Sequence, residues 1–336
     1  MSAAGTGLLD AALDLPHGSF DDALTVENYQ WLAMDGSGLG LLCHVGTYPG
    51  DGTLWHTLSA VSLPTGEVYV AKAVGRAPDP ACAGTALHHL RCEAPFSRWR
   101  FCADAGFQPT TFAELGQGPL PDRPTVPVTV DVAFEAFGPV WNPRGSGAQP
   151  EWGSFHLEQA MRARGTVSIG ATVHRFDGYG FRDHSRGQRD LRNVEHSYWC
   201  NGVFPSGRTF ASLQVTNLDG HRESRAAILD GSEFTDATLV VPPAMSDPFH
   251  EPLDISVTLR DDGGTEHRIS GRVSGGATWS IVGGSEFCLG AAIGCPDAYL
   301  LPQSIVAWEW DGEAGYGLAD RCGRIDYLLG GAGVRR

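Results

Sequence analysis

Between residues 166 and 310, short apolar or alternating runs recur about every ten residues: 166–176, 197–204, 209–215, 225–229, 238–241, 253–259, 267–273, 278–282 and 305–310. Turn signals separate them, including Pro205-Ser-Gly, Asn217-Leu-Asp-Gly, Asp230-Gly, Asp261-Asp-Gly-Gly and Gly283-Gly. Side chains of a strand alternate between two faces, so runs this short and regular predict an antiparallel barrel or sandwich. The first half has the same texture. Runs at 29–34 and 39–45 flank Asp35-Gly, runs at 54–63 and 68–74 flank Pro64-Thr-Gly-Glu, and valines alternate over 126–136. The 44 glycines and 21 prolines suit many turns and would break helices. No 33–47-residue repeat is present, which excludes a solenoid or a propeller.

A chain of 336 residues is long enough for about two domains. Regularity fails over 137–151, where three prolines and three glycines crowd together. The expected layout is all-β: an N-terminal arm (1–25), a β domain (26–140), a linker (141–152) and a C-terminal β-barrel domain (153–336).

The formal net charge of −15 argues against a nucleic-acid or anionic-lipid surface as partner. The eight cysteines form no C-x-x-C pair, the first 15 residues lack a basic, apolar leader pattern, and no run of about 18 apolar residues exists. These features predict free thiols, a cytoplasmic setting and no integral membrane segment. Gly36, Gly38 and Gly40 do not have dinucleotide-loop spacing, no G-x-S-x-G elbow occurs, and the histidines lack H-E-x-x-H spacing. No cofactor and no metal are expected.

The densest chemistry lies in 174–190. Arg175, Asp177, Arg182, Asp183, His184, Arg186, Arg189 and Asp190 are interleaved there with Tyr179 and Phe181, directly after an apolar run. Ions buried without partners cost several kcal/mol or more. The stretch is therefore either a solvated hairpin of exchangeable ion pairs, or a polar cluster at a cavity mouth with Asp183 and His184 handling protons. Tyr198 and Trp199 follow it, and His156, Glu158 and Gln159 precede it. Near the C-terminus Trp308 and Trp310 share one strand face, as cavity wall or as ordinary core. Arg98 and Arg100 around Trp99 read as a strand with one wet and one buried face.

Two of these stretches carry a family likeness. Phe181-Arg-Asp-His-Ser-Arg-Gly-Gln-Arg-Asp190 resembles the Asp-His-Asn-x-Gly segment of the carotenoid 1,2-hydratases (hydroxyneurosporene synthases), whose superfamily also takes in AttH-like proteins and lipocalin-like Diels–Alderases. Trp308-Glu-Trp and Gly315-Tyr-Gly-Leu-Ala-Asp-Arg321 are similar as well. The resemblance implies two tandem lipocalin-like barrels, an apolar tunnel, a long isoprenoid or polyketide-like substrate, and no metal or redox cofactor. It places the proton donor at Asp183 and its helper at His156. This chain has Phe181 where the hydratases have tyrosine, and Glu158 where they have tryptophan.

Hydrating an unactivated alkene takes a strong acid beside an apolar pocket, and burial makes a carboxyl such an acid. Tyr179, Phe181, Trp199, Trp308 and Trp310 are the rings expected to steady a carbocation, and His156, His184 or Glu158 the groups expected to take a proton. Arg182 and Arg186 have two alternatives: near Asp183 they hold it ionised as a strut, or they bind an anionic head group. The reading is a cofactor-independent hydratase or dehydratase. A cyclase or isomerase on the same scaffold and a non-catalytic carrier of hydrophobic ligands are the alternatives. Asp183 and either Trp199 or Trp308 are expected to line one cavity.

Overall fold

The computed structural model describes residues 10–17, 25–143, 155–188, 191–244, 254–284 and 286–331. Its strands form two closed eight-stranded antiparallel barrels, the barrel alternative of the strand spacing and the tandem layout that the family resemblance implies.

The first half contributes β1 (Thr25–Asp35), β2 (Gly40–Tyr48), β3 (Asp51–Ser62), β4 (Glu67–Gly75), β5 (Cys82–Gly84), β6 (His88–Ala94), β7 (Arg98–Thr111), β8 (Val126–Trp141), β9 (Phe155–Ile169) and β10 (Thr172–Gln188). Their order is β4-β3-β2-β1-β10-β9-β8-β7-β6-β5, and pairing of β4 with β7 closes the barrel. The second half contributes β11 (Val194–Val203), β12 (Thr209–Asn217), β13 (Arg222–Leu229), β14 (Phe234–Val241), β15 (Asp254–Asp261), β16 (Glu266–Val282), β17 (Glu286–Leu289), β18 (Tyr299–Trp310) and β19 (Glu313–Arg324). Their order is β15-β14-β13-β12-β11-β19-β18-β16-β17, closed by β15 and β16.

Residues 155–188 belong to the first barrel, not to the second domain where the sequence reading put them. β9 pairs with β8 and β10 pairs with β1, so the first barrel closes only with them. The Pro/Gly-rich break expected as a linker falls between two neighbouring strands of one sheet, and its residues 144–154 lie outside the described residues. Composition marks a loop there. It does not tell a hairpin connection from a domain linker, because both need the same turn chemistry.

Three apolar layers hold the molecule together. Tyr29, Trp31, Trp99 and Phe134 fill the first barrel, and Phe204, Phe210, Trp308 and Trp310 fill the second. Between them lies a third layer that includes Leu32, Met34, Leu58, Trp279, Ile305 and Leu318. It exists because β1 to β3 are buried on both faces, with Leu32, Met34, Leu42 and Leu58 turned towards the second barrel. Each large side chain so buried contributes roughly 1.5–3 kcal/mol, which binds the barrels into one body. At Gly40 an added Cβ would lie 2.4 Å from the Ile305 side chain, so a side chain there would push the barrels apart.

The arm contributes a 3-10 turn, Ala11–Asp14, capped by the Asp10 carboxylate on the Ala12 N–H at 3.0 Å. All eight cysteines are free thiols. Among the described residues no helix is long and apolar enough to cross a membrane.

Candidate functional site

The charged stretch of β10 is sorted by the two-residue period of its strand. Arg182, His184 and Arg186 point into the first barrel, while Phe181, Asp183 and Ser185 point towards the second. Sequence proximity of arginine to Asp183 therefore does not become contact.

Inside the first barrel the ions pair off. Asp14 accepts from Arg182 Nη1 at 2.6 Å, Trp99 Nε1 at 2.9 Å and the Phe96 N–H at 2.6 Å. Glu27 Oε1 accepts from His184 Nε2 and Arg186 Nε, both at 2.8 Å, while Arg186 also donates to the Leu13 and Leu15 carbonyls. Burial would raise both carboxyls. For Asp14 the Arg182 charge and the hydrogen bonds it receives together outweigh burial and take it below its ordinary value; for Glu27 the His184 and Arg186 hydrogen bonds and charges together outweigh burial, and the carboxyl drops to about 2. The network seals the barrel with the arm as its plug. His184, expected to handle protons, is fully buried against Tyr29 (ring centroids 4.1 Å apart) and does not reach the cavity described next. Arg182 and Arg186 do not reach it either, so no anionic head group meets them there.

A cavity of about 200 Å³ lies between the barrels. From the first barrel come Asn28 and Gln30 (β1), His44 (β2), His56 (β3), His156 (β9), and Asp183 and Ser185 (β10). From the second come Trp199 (β11), Leu213 and Val215 (β12), Tyr299 and Leu301 (β18), and Asp320 and Cys322 (β19). Most of the wall is apolar, and the polar groups stand at fixed places within it.

The first such group is His156 with Asp183. Nε2 of the imidazole forms an ion pair with Asp183 Oδ2 and lies 3.3 Å from Glu158 Oε1. Burial alone would depress the imidazole, but the Asp183 and Glu158 carboxylates raise it to about 9. At neutral pH the imidazole therefore carries its proton, facing the Asp183 carboxyl group. Glu158 is fully buried outside the cavity wall, and burial raises its carboxyl against the opposing pull of His156.

The second is Asp320, which sequence reasoning passed over. Its Oδ2 accepts from Gln30 Nε2 and Gln303 Nε2, each at 3.3 Å, and Cys322 Sγ donates to Oδ1. Trp279 Nε1 donates to Gln303 Oε1 at 2.8 Å, which turns the amide nitrogen towards Asp320. Burial dominates and lifts the carboxyl to about 6, despite these donors and Arg321. Gln30 is the register partner of Asp183, so it stands beside that residue on the first barrel and reaches across the gap to Asp320. The sequence signal was present: Leu318, Asp320 and Cys322 share one strand face, with apolar Leu318 in the layer between the barrels.

Of the expected aromatic residues, Trp199 lines the cavity. Phe181 packs edge-on against it, with centroids 6.4 Å apart, one layer behind the wall. Tyr179 lies under the Arg162 guanidinium, 4.4 Å from the ring centroid. Tyr198 faces away from Trp199 and meets the His196 ring. Trp308 and Trp310 belong to the second barrel's interior, where Trp308 Nε1 donates to the Asn201 carbonyl at 2.9 Å. They take the core alternative of the sequence reading. Strand alternation shows which residues share a face; closure of the barrel decides which face is inside.

Among the described residues, one group of side chains can hold a metal ion: His156, Glu158 and Asp183 offer ligand atoms within 4.8 Å of one another. The expectation of no metal rested on the absence of local ligand-spacing motifs and on the family resemblance, and these residues converge from two paired strands instead. Nitrogen and oxygen donors suit a divalent cation. Such an ion would have to displace the proton that His156 holds against Asp183.

The fold has counterparts of known structure. An AttH-like protein described as putative, from Nitrosomonas europaea, matches with a TM-score of 0.60 at 13% identity, covering 90% of this chain and 93% of its own. Kievitone hydratase from Nectria haematococca matches at 0.53 and 10%, covering 93% and 94%. CghA in complex with Sch210972 matches at 0.57 and 13%, covering 90% and 89%. At such identities the likeness is one of fold. No curated protein matches the chain in sequence. A family description does match, over residues 28–323, a span from β1 into β19 that takes in His156, Asp183 and Asp320. The chain therefore belongs to the family described as "Domain of unknown function (DUF7064)".

Proposed function

We propose that the protein is an acid–base enzyme that adds water to, or removes it from, a hydrophobic isoprenoid or polyketide-like substrate held between the barrels. The observation that carries this reading is the pair of acidic centres in one apolar cavity: Asp183 with His156 on one wall, Asp320 on the other. A carboxyl near 6 is poised to give and regain a proton at neutral pH, the requirement for a general acid.

In the hydration direction, Asp320 in its neutral form protonates one alkene carbon. The cation that develops on the other carbon faces the Trp199 ring and the Asp183 carboxylate, both of which stabilise positive charge. Water adds to that carbon and gives its proton to Asp183. Return of that proton to Asp320 restores the enzyme, so the net change is alkene plus water to alcohol. His156 orients the Asp183 carboxylate and keeps it ionised. This reading moves the donor role from Asp183 to Asp320 and leaves the first-barrel charges to structure. The same acid acting without water would isomerise or cyclise a polyene.

The test is incubation with isoprenoid alkenes and alcohols in H₂¹⁸O, with products followed by mass spectrometry. Label should enter the product, and Asp183→Asn and Asp320→Asn should each abolish incorporation while sparing binding. Binding without incorporation in the wild type would leave a carrier. Undiminished turnover in both variants would refute the assignment.

A further inference from the structure

We infer that the His56 end of the inter-barrel cavity is a recognition site for an uncharged hydrogen-bonding group of the ligand, a hydroxyl or a carbonyl, carried about 10 Å from the reacting double bond. The inference deepens the function proposed above and rests on the cavity being the substrate site.

His56 does nothing in the chemistry just described, yet its place is costly. The side chain lines the cavity, is 2% exposed, and neither ring nitrogen has a hydrogen-bond partner among the described residues. A buried polar group left unpaired costs about 1–3 kcal/mol, and a ligand that pairs it recovers that energy. Phe287 stacks on the ring at a centroid distance of 3.9 Å and fixes its plane.

The register explains how the ring comes to face the site. One row across the outer wall of the first barrel runs Glu158, Asp183, Gln30, His44, and the next runs His156, Ser185, Asn28, Gly46, His56. Strands in a sheet lie about 4.8 Å apart, so β10 and β2 are about 10 Å apart. The His56 ring leans back over β2, where a Cβ at Gly46 would come within 2.5 Å of His56 Cε1 and 2.4 Å of Asn28 Oδ1. Only a residue without a side chain leaves that space, which makes Gly46 the reason that the imidazole reaches the row.

The charge state selects the ligand group. Burial first, then His44 and the Lys72 ammonium, push His56 well below its ordinary value, so it meets the ligand as a neutral imidazole with one donor and one acceptor nitrogen. A hydroxyl satisfies either nitrogen and a carbonyl satisfies the donor. A hydrocarbon terminus satisfies neither.

Three ligands with the same carbon skeleton test this: farnesol, the hydrocarbon α-farnesene and farnesoic acid, with binding followed by quenching of tryptophan fluorescence, since Trp199 stands in the wall. Farnesol should bind roughly tenfold more tightly than the hydrocarbon, the ratio that pairing one buried donor gives, and more tightly than the acid. His56→Phe should bring farnesol down to the affinity of the hydrocarbon and leave the hydrocarbon unchanged. Gly46→Ala, which keeps the imidazole but displaces it, should act in the same direction. Equal binding of alcohol and hydrocarbon by the wild type, a preference for the acid, or survival of the preference in His56→Phe would overturn the inference. So would failure of all three to bind. The ¹⁸O result reads the acidic centres instead, so label incorporation without a farnesol preference would overturn this inference alone.

Discussion

Replacing Asp183 by asparagine should change how stability depends on pH, because the His156 proton is held by the carboxylate that is removed. In the folded protein that imidazole stands at about 9, against 6.5 when unperturbed. A histidine raised on folding contributes stability that is complete below the unfolded value and is lost as pH rises through the folded one. At about 1.4 kcal/mol for each tenfold change in proton affinity, the displacement is worth about 3 kcal/mol, most of it lost on the way up to pH 9. Asp183 supplies the leading favourable contributions and Glu158, 3.3 Å away, the lesser ones. The variant should therefore lose more than half of the slope, since burial then favours the neutral ring. The assay is urea unfolding from about pH 6 to about pH 10, extrapolated linearly to water, beside an NMR titration of the imidazoles. A wild-type His156 that titrates near 6.5, or equal slopes in wild type and variant, would refute the ion-pair account.

Further outcomes follow from the same geometry. Asp320→Asn should make the protein more stable at neutral pH, by up to about 3 kcal/mol in urea titrations, because a carboxyl raised from 3.8 to about 6 destabilises the fold once it ionises; the gain should vanish below the unfolded value. Arg182→Met leaves Asp14 buried without its guanidinium and should cost about 3–5 kcal/mol in the same measurement, with ligand affinity preserved because the pair lies inside the other layer. Trp308→Ala should cost about 3–5 kcal/mol of stability and spare ligand binding, whereas Trp199→Ala should weaken ligand binding. Zinc added to the wild type should bind more tightly as pH rises, because His156 must first release its proton; calorimetry in buffers of different ionisation enthalpy counts the protons set free.

The sequence by itself determined the all-β class. Alternation and regularly spaced turns narrow the choice to antiparallel barrels or sandwiches, since each short strand must bury one face and end at a residue fit for a turn. It also determined that the 174–190 and 304–321 stretches would matter, through charge placed next to apolar runs. Only the tertiary structure decided which face met which partner. Arg182, Asp183, His184 and Arg186 are neighbours in the chain, yet the pleat sends three of them into a sealed barrel and one into the cavity. The Pro/Gly-rich break looked like a domain linker, and only the pairing of β8 with β9 showed it to be a connection within one barrel. Asp320 and Gln30 are 290 residues apart and share a hydrogen bond only because two barrels pack outer face to outer face. No local pattern encodes such a contact: its cause is the apolar layer on both barrels, and burial in that layer is also what lifts the Asp320 carboxyl.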